Sequence, residues 1–204
     1  MENFNNDTID SCFFTIKNMN YDNACFYKSF VNCISNNNNI ELEMAKIIQK
    51  ISYEWVINNK YNYNDDFNMC IKDIVEMCHE ISIEQYIKIY KYYAEDIIDN
   101  IDIDRWGSIV EQIALSEIFK IPIYIYTPQK YNIKNNKINI GKINNNTPHK
   151  GVRFRLCHQI GLKYNEKEPI SLLWKDGKYG PHYMSLFLNK EYKLNNKGIP
   201  YKII

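Results

Sequence analysis

Several features that define other protein classes are missing from this sequence. No apolar run reaches the roughly 18 residues that a membrane-spanning helix needs, so we expect no membrane segment. Lys and Arg total 25 and Asp and Glu total 24, which gives a formal charge of +1 and no electrostatic reason to expect a nucleic-acid partner. The first residues, 1–7, are polar and acidic and do not resemble a secretory signal, so we expect a cytoplasmic protein.

The six cysteines lack the spacing of a metal site. None forms a Cys-x-x-Cys pair, and no histidine lies at zinc-finger spacing from two of them. Because no secretory signal is present, we expect reduced thiols and no bound metal. Cys33, Cys70 and Cys78 lie in apolar or helical patterns, where a free cysteine packs as a small hydrophobe.

Hydrophobic periodicity places helices early in the chain and strands late. Apolar residues at helical spacing predict helices over 25–35, 40–58, 67–80, 83–98 and 106–119. Asp104 is the expected cap of the last helix. β-Branched and aromatic runs predict strands over 121–126, 152–156, 170–174 and 182–188, with a ribbon at 131–143. With 204 residues, we expect one α+β domain, residues 1–204, in which helices pack around a small central β-sheet.

Cys25 is the cysteine whose sequence context favours a reactive thiolate. The turn-forming residues Asp22 and Asn23 precede it, and an apolar helix begins at the cysteine itself. A thiol at a helix N-terminus faces unpaired backbone N–H groups and the positive end of the helix dipole, which favour the thiolate. The same N–H groups could hold an oxyanion during attack on a carbonyl. A buried cysteine that only packs in a core helix would fit the same pattern.

A thiol nucleophile needs a base, and four histidines are available. His182 opens a predicted strand after Gly180-Pro181, and such a junction places an imidazole at the edge of a rigid sheet, where functional residues concentrate. His158 follows an Arg-rich strand and is the best alternative. His79 lies in a helical stretch and His149 in an Asn-rich loop. A hydrogen-bonded structural role is the other interpretation for each.

Three segments resemble motifs of the ovarian-tumour (OTU) family of cysteine proteases. Residues 22–27, Asp-Asn-Ala-Cys-Phe-Tyr, resemble its nucleophile motif, Asp-Gly-Asn-Cys-Leu-Phe/Tyr. Residues 106–115 begin with Trp-Gly and resemble its Trp-Gly helix, which a strand follows, here at 121–126. Residues 182–186, His-Tyr-Met-Ser-Leu, resemble its terminal His-Tyr-Asp/Asn-Ser-Leu strand. Their order and spacing fit an OTU-like protease fold over roughly residues 10–190.

The resemblance implies hydrolysis of an isopeptide or peptide bond after the Gly-Gly tail of ubiquitin or a relative. Cys25 would be the nucleophile and His182 the base, with no metal or cofactor. The expected partners are ubiquitin or ubiquitin-like conjugates, and the expected protein is a cytoplasmic monomer, in the host cytoplasm if the source is viral. Two alternatives are a catalytically weak or inactive OTU module that binds ubiquitin, and a protease that processes a polyprotein.

Three of the positions at which the motifs depart from the family pattern bear on catalysis. Asn23 stands where the family has Gly, and Asn tolerates a left-handed backbone better than most residues. Ala24 stands where the family has Asn, so the oxyanion hole would consist of backbone N–H groups around Asn23 and Ala24. Met184 stands where many members have the Asp or Asn that orients the imidazole, and a thioether accepts hydrogen bonds poorly.

Another group must therefore orient His182, unless Cys25 and His182 act as a dyad. We expect an oxygen from outside the His-Tyr-Met segment beside the distal ring nitrogen. The first candidate is an acid near the N-terminus, Asp7 or Asp10. Asp176 and Asp22 come after it. For Asp22 we favour a role in shaping the nucleophile loop and stabilising the oxyanion region over contact with His182.

Overall fold

The computed structural model describes residues 8–19, 24–35, 41–94, 107–129, 153–177 and 180–203. The helices in these ranges are α1 (Cys25–Ser35), α2 (Glu41–Asn59), α3 (Ile71–His79), α4 (Ile83–Ala94) and α5 (Ile109–Phe119). The strands are β1 (Thr8–Asp10), β2 (Phe14–Lys17), β3 (Tyr63–Asn64), β4 (Met69–Cys70), β5 (Ile123–Gln129), β6 (Arg153–Ile160), β7 (Ile170–Gly177), β8 (Gly180–Leu188), β9 (Tyr192–Leu194) and β10 (Pro200–Lys202). The predicted α+β class is confirmed.

A central six-stranded sheet has the order β1-β6-β5-β7-β8-β2. β5 and β7 run parallel, and every other neighbouring pair in this sheet is antiparallel. Residues of α1 share an apolar cluster with residues of β5 and β7, so a helix covers the parallel pair, as its burial requires. Two further two-stranded ribbons are formed by β3 with β4 and by β9 with β10.

The central sheet must curl, because β1 and β2 lie at opposite edges although only the short 3-10 helix Ser11–Phe13 joins them. The Cα atoms of Asp10 and Phe14 can be at most about 14 Å apart through that connection. The edges of a flat six-stranded sheet would be about 24 Å apart. The curl encloses an apolar cluster that includes Phe14, Tyr126, Phe154, Leu173 and Met184.

The helices cover the other face of the sheet. The α1 side chains Phe26, Phe30 and Val31 are fully buried in a cluster that also contains residues of β5, β7 and β8. A second cluster joins α2, α3, α4 and α5 through residues such as Val56, Ile74, Tyr86 and Ile113. Within the parts of the chain that the structure describes, no helix has the length and hydropathy needed to cross a bilayer.

The structure corrects two details of the predicted elements. The helix expected over 67–80 begins at Ile71, because the short ribbon of β3 and β4 takes Met69 and Cys70. The helix expected over 106–119 begins at Ile109, and its cap is Ser108 instead of Asp104. Ser108 and Glu111 bond reciprocally in a capping box, which satisfies backbone N–H groups at the helix start. The predicted ribbon over 131–143 lies outside the described residues.

Candidate active site

Cys25 is the first residue of α1, as the sequence predicts. The next residues, Phe26 and Tyr27, are fully buried and anchor the start of the helix in the core, while the cysteine itself is 3% exposed. The carbonyl of Ala24 accepts a hydrogen bond from the Lys28 N–H at 2.9 Å, so helical bonding begins directly before Cys25. The sulfur therefore lies at the end of α1 where backbone N–H groups lack intrahelical partners.

Strand β8 brings its own residues to this helix start. The backbone N–H of Tyr183 donates a hydrogen bond to Cys25 Sγ, with 3.4 Å between nitrogen and sulfur. His182, the residue before Tyr183, is 1% exposed, so its imidazole is shielded from bulk water. The two residues that the sequence singles out as nucleophile and base thus come from separate elements that meet at one place. A donor aimed at the sulfur stabilises a thiolate more than a thiol.

The oxygen beside His182 belongs to Asn18, a residue that the sequence analysis did not name. His182 Nε2 lies 3.0 Å from Asn18 Oδ1. Asn18 directly follows β2, the edge strand that pairs with β8, where Lys17 is in register with Ser185. This oxygen belongs to an amide rather than a carboxylate, and it comes from upstream of Cys25.

Met184 explains why the neighbouring strand supplies this oxygen. Side chains alternate along a strand, so Met184 shares a face with His182 and points into the curled sheet, where it is fully buried. It packs there with Leu173, its partner in β7, and with Leu186. Met184 fills the apolar interior, and Asn18 contacts the imidazole from the adjacent strand.

The other candidates for the third member are placed as follows. Asp10 ends β1, and its carboxylate accepts a hydrogen bond from the Cys12 N–H at 2.9 Å, where it caps a 3-10 helix. Asp7, Asp22 and Asn23 lie outside the described residues, as does the side chain of Asp176. The backbone of Asp176 is in β7, in register with Pro181. The carboxylate of Asp10 thus bonds to the chain at Cys12, whereas Asn18 Oδ1 contacts the imidazole of His182.

His158, the alternative base, makes a different contact. Its Nε2 lies 2.8 Å from Gln112 Oε1, and Gln112 Nε2 donates to the Tyr183 hydroxyl at 2.9 Å. Burial lowers the pKa of His158 below its ordinary value and raises the pKa of the Tyr183 phenol well above its own. Both groups are therefore uncharged near neutral pH. His149 lies outside the described residues.

The Trp-Gly segment contacts the nucleophile helix through its glycine. A Cβ atom built on Gly107 would lie 1.8 Å from Cδ1 of Phe26, so any larger residue would displace the Phe26 ring. Phe26 follows Cys25 directly, and its ring lies edge-on to Tyr183 with 5.1 Å between ring centroids. The glycine thus lets the start of α5 approach the site closely. Trp106 lies outside the described residues.

A buried carboxylate holds the helices behind the site together. Glu111 is fully buried and accepts hydrogen bonds from the Ser108 N–H at 2.8 Å and the Tyr86 hydroxyl at 2.6 Å. His79 Nε2 lies 3.1 Å from the same carboxylate. Burial acts to raise the pKa of Glu111, but the charge of His79 and these hydrogen bonds outweigh it, and the pKa is lowered. His79 therefore joins α3 to α5.

In the described ranges, no three His, Cys, Asp or Glu side chains come together in a way that could hold a metal ion. The remaining cysteines are unpaired in the same ranges. Burial raises the pKa of the Cys33 thiol to about 12, so that sulfur stays protonated and inert.

Comparison with solved structures finds OTU domains. The viral OTU domain protease from Qalyub virus aligns over 89% of each chain with a TM-score of 0.51 at 14% sequence identity. An OTU deubiquitinase from Wolbachia pipientis wMel bound to ubiquitin aligns over 86% of this chain and 96% of its own, with a TM-score of 0.45 at 14% identity. No family model and no curated protein matches the sequence. The chain therefore has the fold of the OTU domain, as its three motifs predict.

Proposed function

We propose that the protein is an OTU-type cysteine protease that hydrolyses the bond after the C-terminus of ubiquitin or a ubiquitin-like modifier. The observation that carries the proposal is the arrangement of three residues. Cys25 begins a helix and receives the Tyr183 N–H, and the imidazole of the preceding His182 lies against an amide oxygen. A nucleophile, a base and a group that orients the base are the parts that thiol hydrolysis needs.

Each step of the reaction has a residue in this proposal. His182 takes the thiol proton, and the Cys25 sulfur attacks the carbonyl carbon of the scissile bond. Backbone N–H groups at the start of α1 hold the negative oxygen of the tetrahedral intermediate. The imidazolium then gives its proton to the departing amine, which leaves an acyl-enzyme. A water molecule, deprotonated by His182, hydrolyses the thioester and restores the thiol.

Asn18 would select the tautomer of His182. Its Oδ1 accepts the Nε2–H, which leaves the lone pair on Nδ1 to take the proton from the thiol. The amide carries no charge, so it orients the ring but stabilises the imidazolium less than a carboxylate would. We infer an enzyme with a well-oriented base and a weaker thiolate–imidazolium pair than one with Asp at this position.

The substrate class rests on the sequence motifs and on the shared fold. The nucleophile and histidine motifs resemble those of proteases that accept the Gly-Gly tail of ubiquitin, and the Qalyub virus protein with this fold is described as a protease. Cys25 is 3% exposed and Tyr183, whose N–H contacts its sulfur, is 7% exposed, so little of either residue is open to solvent. A tail of two glycines suits such a site because it has no side chains to accommodate.

The test is reaction with a panel of ubiquitin and ubiquitin-like proteins that carry a thiol-reactive group at the C-terminus. We expect a covalent adduct on Cys25 with at least one of them. Cys25→Ala should give no adduct while its melting temperature stays unchanged, and His182→Ala should slow labelling by about 100- to 10,000-fold. Cys33→Ala is the matched control, since the protonated Cys33 thiol is inert, and it should label normally.

A binding module that does not cleave is the second candidate, and Ala24 and Met184 favour it, because the family's side chains are missing at both positions. Such a module would bind ubiquitin in solution and give no adduct with any probe of the panel. Labelling that persists in Cys25→Ala would instead assign the nucleophile to another residue and overturn the proposed mechanism.

A further inference from the structure

Strand β6 contains one residue more than its partner at a defined point. Ile125 of β5 is in register with His158, but the next residue, Tyr126, is in register with Leu156. Cys157 between them has no counterpart in β5. This arrangement is a β-bulge, which interrupts the ladder and redirects the side chains that follow it.

The bulge moves His158 to the other face of the sheet. Before it, Phe154 and Leu156 belong to the apolar cluster inside the curl, together with Tyr126. In a regular strand His158 would continue on that face, because alternate residues share a face. After the bulge His158 pairs with Ile125, whose side chain lies in the cluster on the helix side. The extra residue therefore turns the imidazole towards α5.

On the helix side, His158 begins a chain of directed hydrogen bonds. Gln112 Oε1 accepts from His158 Nε2 at 2.8 Å, so that nitrogen carries a hydrogen. Gln112 Nε2 donates to the Tyr183 hydroxyl at 2.9 Å, so the phenol oxygen is the acceptor. The Gln112 side chain is 1% exposed, and each end of its amide has a partner. The position and orientation of the Tyr183 hydroxyl are thereby fixed.

Tyr183 passes this restraint to the nucleophile. Its ring lies edge-on to Phe26, its hydroxyl is held by Gln112, and its backbone N–H donates to Cys25 Sγ. Gln112 contacts the hydroxyl at the end of the Tyr183 side chain, and Cys25 Sγ contacts the Tyr183 backbone N–H. A shift of the ring would therefore also move the peptide that contacts the sulfur. The same peptide joins Tyr183 to His182.

We propose that Gln112 and His158 are positioning residues of the active site, which keep the Tyr183 peptide against Cys25 by holding the Tyr183 hydroxyl. This inference rests on the proposed function for its role in turnover. Positioning by Gln112 differs from packing alone, because an apolar side chain at position 112 would fill the same volume without directing a hydrogen bond. His158 acts in this assignment through its ring N–H and not as the catalytic base.

The decisive measurement is the reactivity of the Cys25 thiol, because it needs no ubiquitin substrate. Iodoacetamide alkylation of the Cys25 peptide is followed by mass spectrometry across a pH series. We expect Gln112→Leu and Tyr183→Phe each to lower the rate of alkylation at neutral pH by about three- to tenfold, the effect of a weakened hydrogen bond to the sulfur. The pH midpoint of alkylation should rise in both.

A rescue and a double variant separate positioning from stability. His158→Gln keeps an N–H that can reach Gln112 and should react faster than His158→Leu. Gln112→Leu combined with Tyr183→Phe should be no slower than either change alone, because both remove the same contact. Gln159→Leu is the matched control: it removes a glutamine amide on the same strand that bonds Asn196 O, on the other face, and should leave alkylation unchanged.

The results that would overturn the inference are specific. A Gln112→Leu protein with a lower melting temperature but an unchanged alkylation profile would give Gln112 a structural role only. If that variant does not fold, Tyr183→Phe, which removes a single oxygen atom, decides in the same way. A wild-type protein that reacts with no ubiquitin-family probe would refute the proposed function, and the alkylation series would still test the positioning of Cys25.

Discussion

The contact between Asn18 and His182 supports a prediction that is open to direct measurement. Asn18→Ala removes an oxygen that lies 3.0 Å from His182 Nε2, in a site where His182 is 1% exposed. Leaving a buried polar group without its partner costs about 1–3 kcal/mol. If the oriented ring is needed in the transition state, that cost corresponds to a decrease of about five- to 150-fold in kcat/KM.

The opposite change adds charge at the same position. Asn18→Asp keeps the shape of the side chain and places a carboxylate beside the imidazole, which stabilises the protonated ring and with it the thiolate–imidazolium pair. We expect activity equal to or above that of the wild type, with the alkaline limb of the kcat/KM profile moved to higher pH, because the folded pKa of the imidazole rises.

The assay is steady-state cleavage of a fluorogenic ubiquitin-family substrate that the probe panel has identified, measured over a pH series with the melting temperature of each variant. Asn189→Ala is the matched control, because it removes an amide that accepts from Thr15 Oγ1 and donates to Cys12 O near β2, without contact to His182. Wild-type kcat/KM in Asn18→Ala would refute the reasoning and leave His182 oriented by another group.

Two further predictions concern buried groups around the site. Met184→Asp places a carboxylate in the apolar interior, so we expect the free energy of unfolding in urea to fall by about 3 kcal/mol or more, while Met184→Leu should cost less than about 1.5 kcal/mol. A stable Met184→Asp protein with a raised rate would show that position 184 can still orient His182. Glu111 has a folded pKa below its ordinary value, so its contribution to stability is full above that ordinary value and is lost as pH falls through the folded pKa. The stability difference between wild type and Glu111→Gln should therefore shrink as the pH is lowered from about 5 to about 3, and a constant difference would contradict this role for the charge.

The sequence predicted the parts of the fold that carry a long repeating pattern. α1, α2 and α5 have apolar residues at helical spacing over many positions, and β5, β7 and β8 are β-branched or aromatic. β1 and β2 were missed because they have three and four residues, too few for alternation to stand out. Since β2 was not recognised, Asn18 was not recognised as a residue beside the terminal strand.

Other parts of the site depend on contacts that no local pattern reveals. The role of Gln112 follows from a bulge at Cys157, and the register of β5 with β6 is known only from the folded sheet. The cap of α5 is a different case, because Ser108 followed by Glu111 has the spacing of a capping box and could have been preferred to Asp104.

The pairing of β2 with β8 has a consequence for how the molecule acquires its activity. Residues 14–17 pair with residues 185–188, so one of the most distant contacts in sequence also delivers Asn18 to His182. Contacts between distant residues form late, because the intervening chain must first be ordered. A chain in which β2 has not yet paired with β8 would contain Cys25 and His182 without the Asn18 oxygen beside the imidazole. In the proposed mechanism, the pairing of β2 with β8 is therefore the contact that completes the site, and the Cys25 thiol should reach its full reactivity only once that pairing has formed.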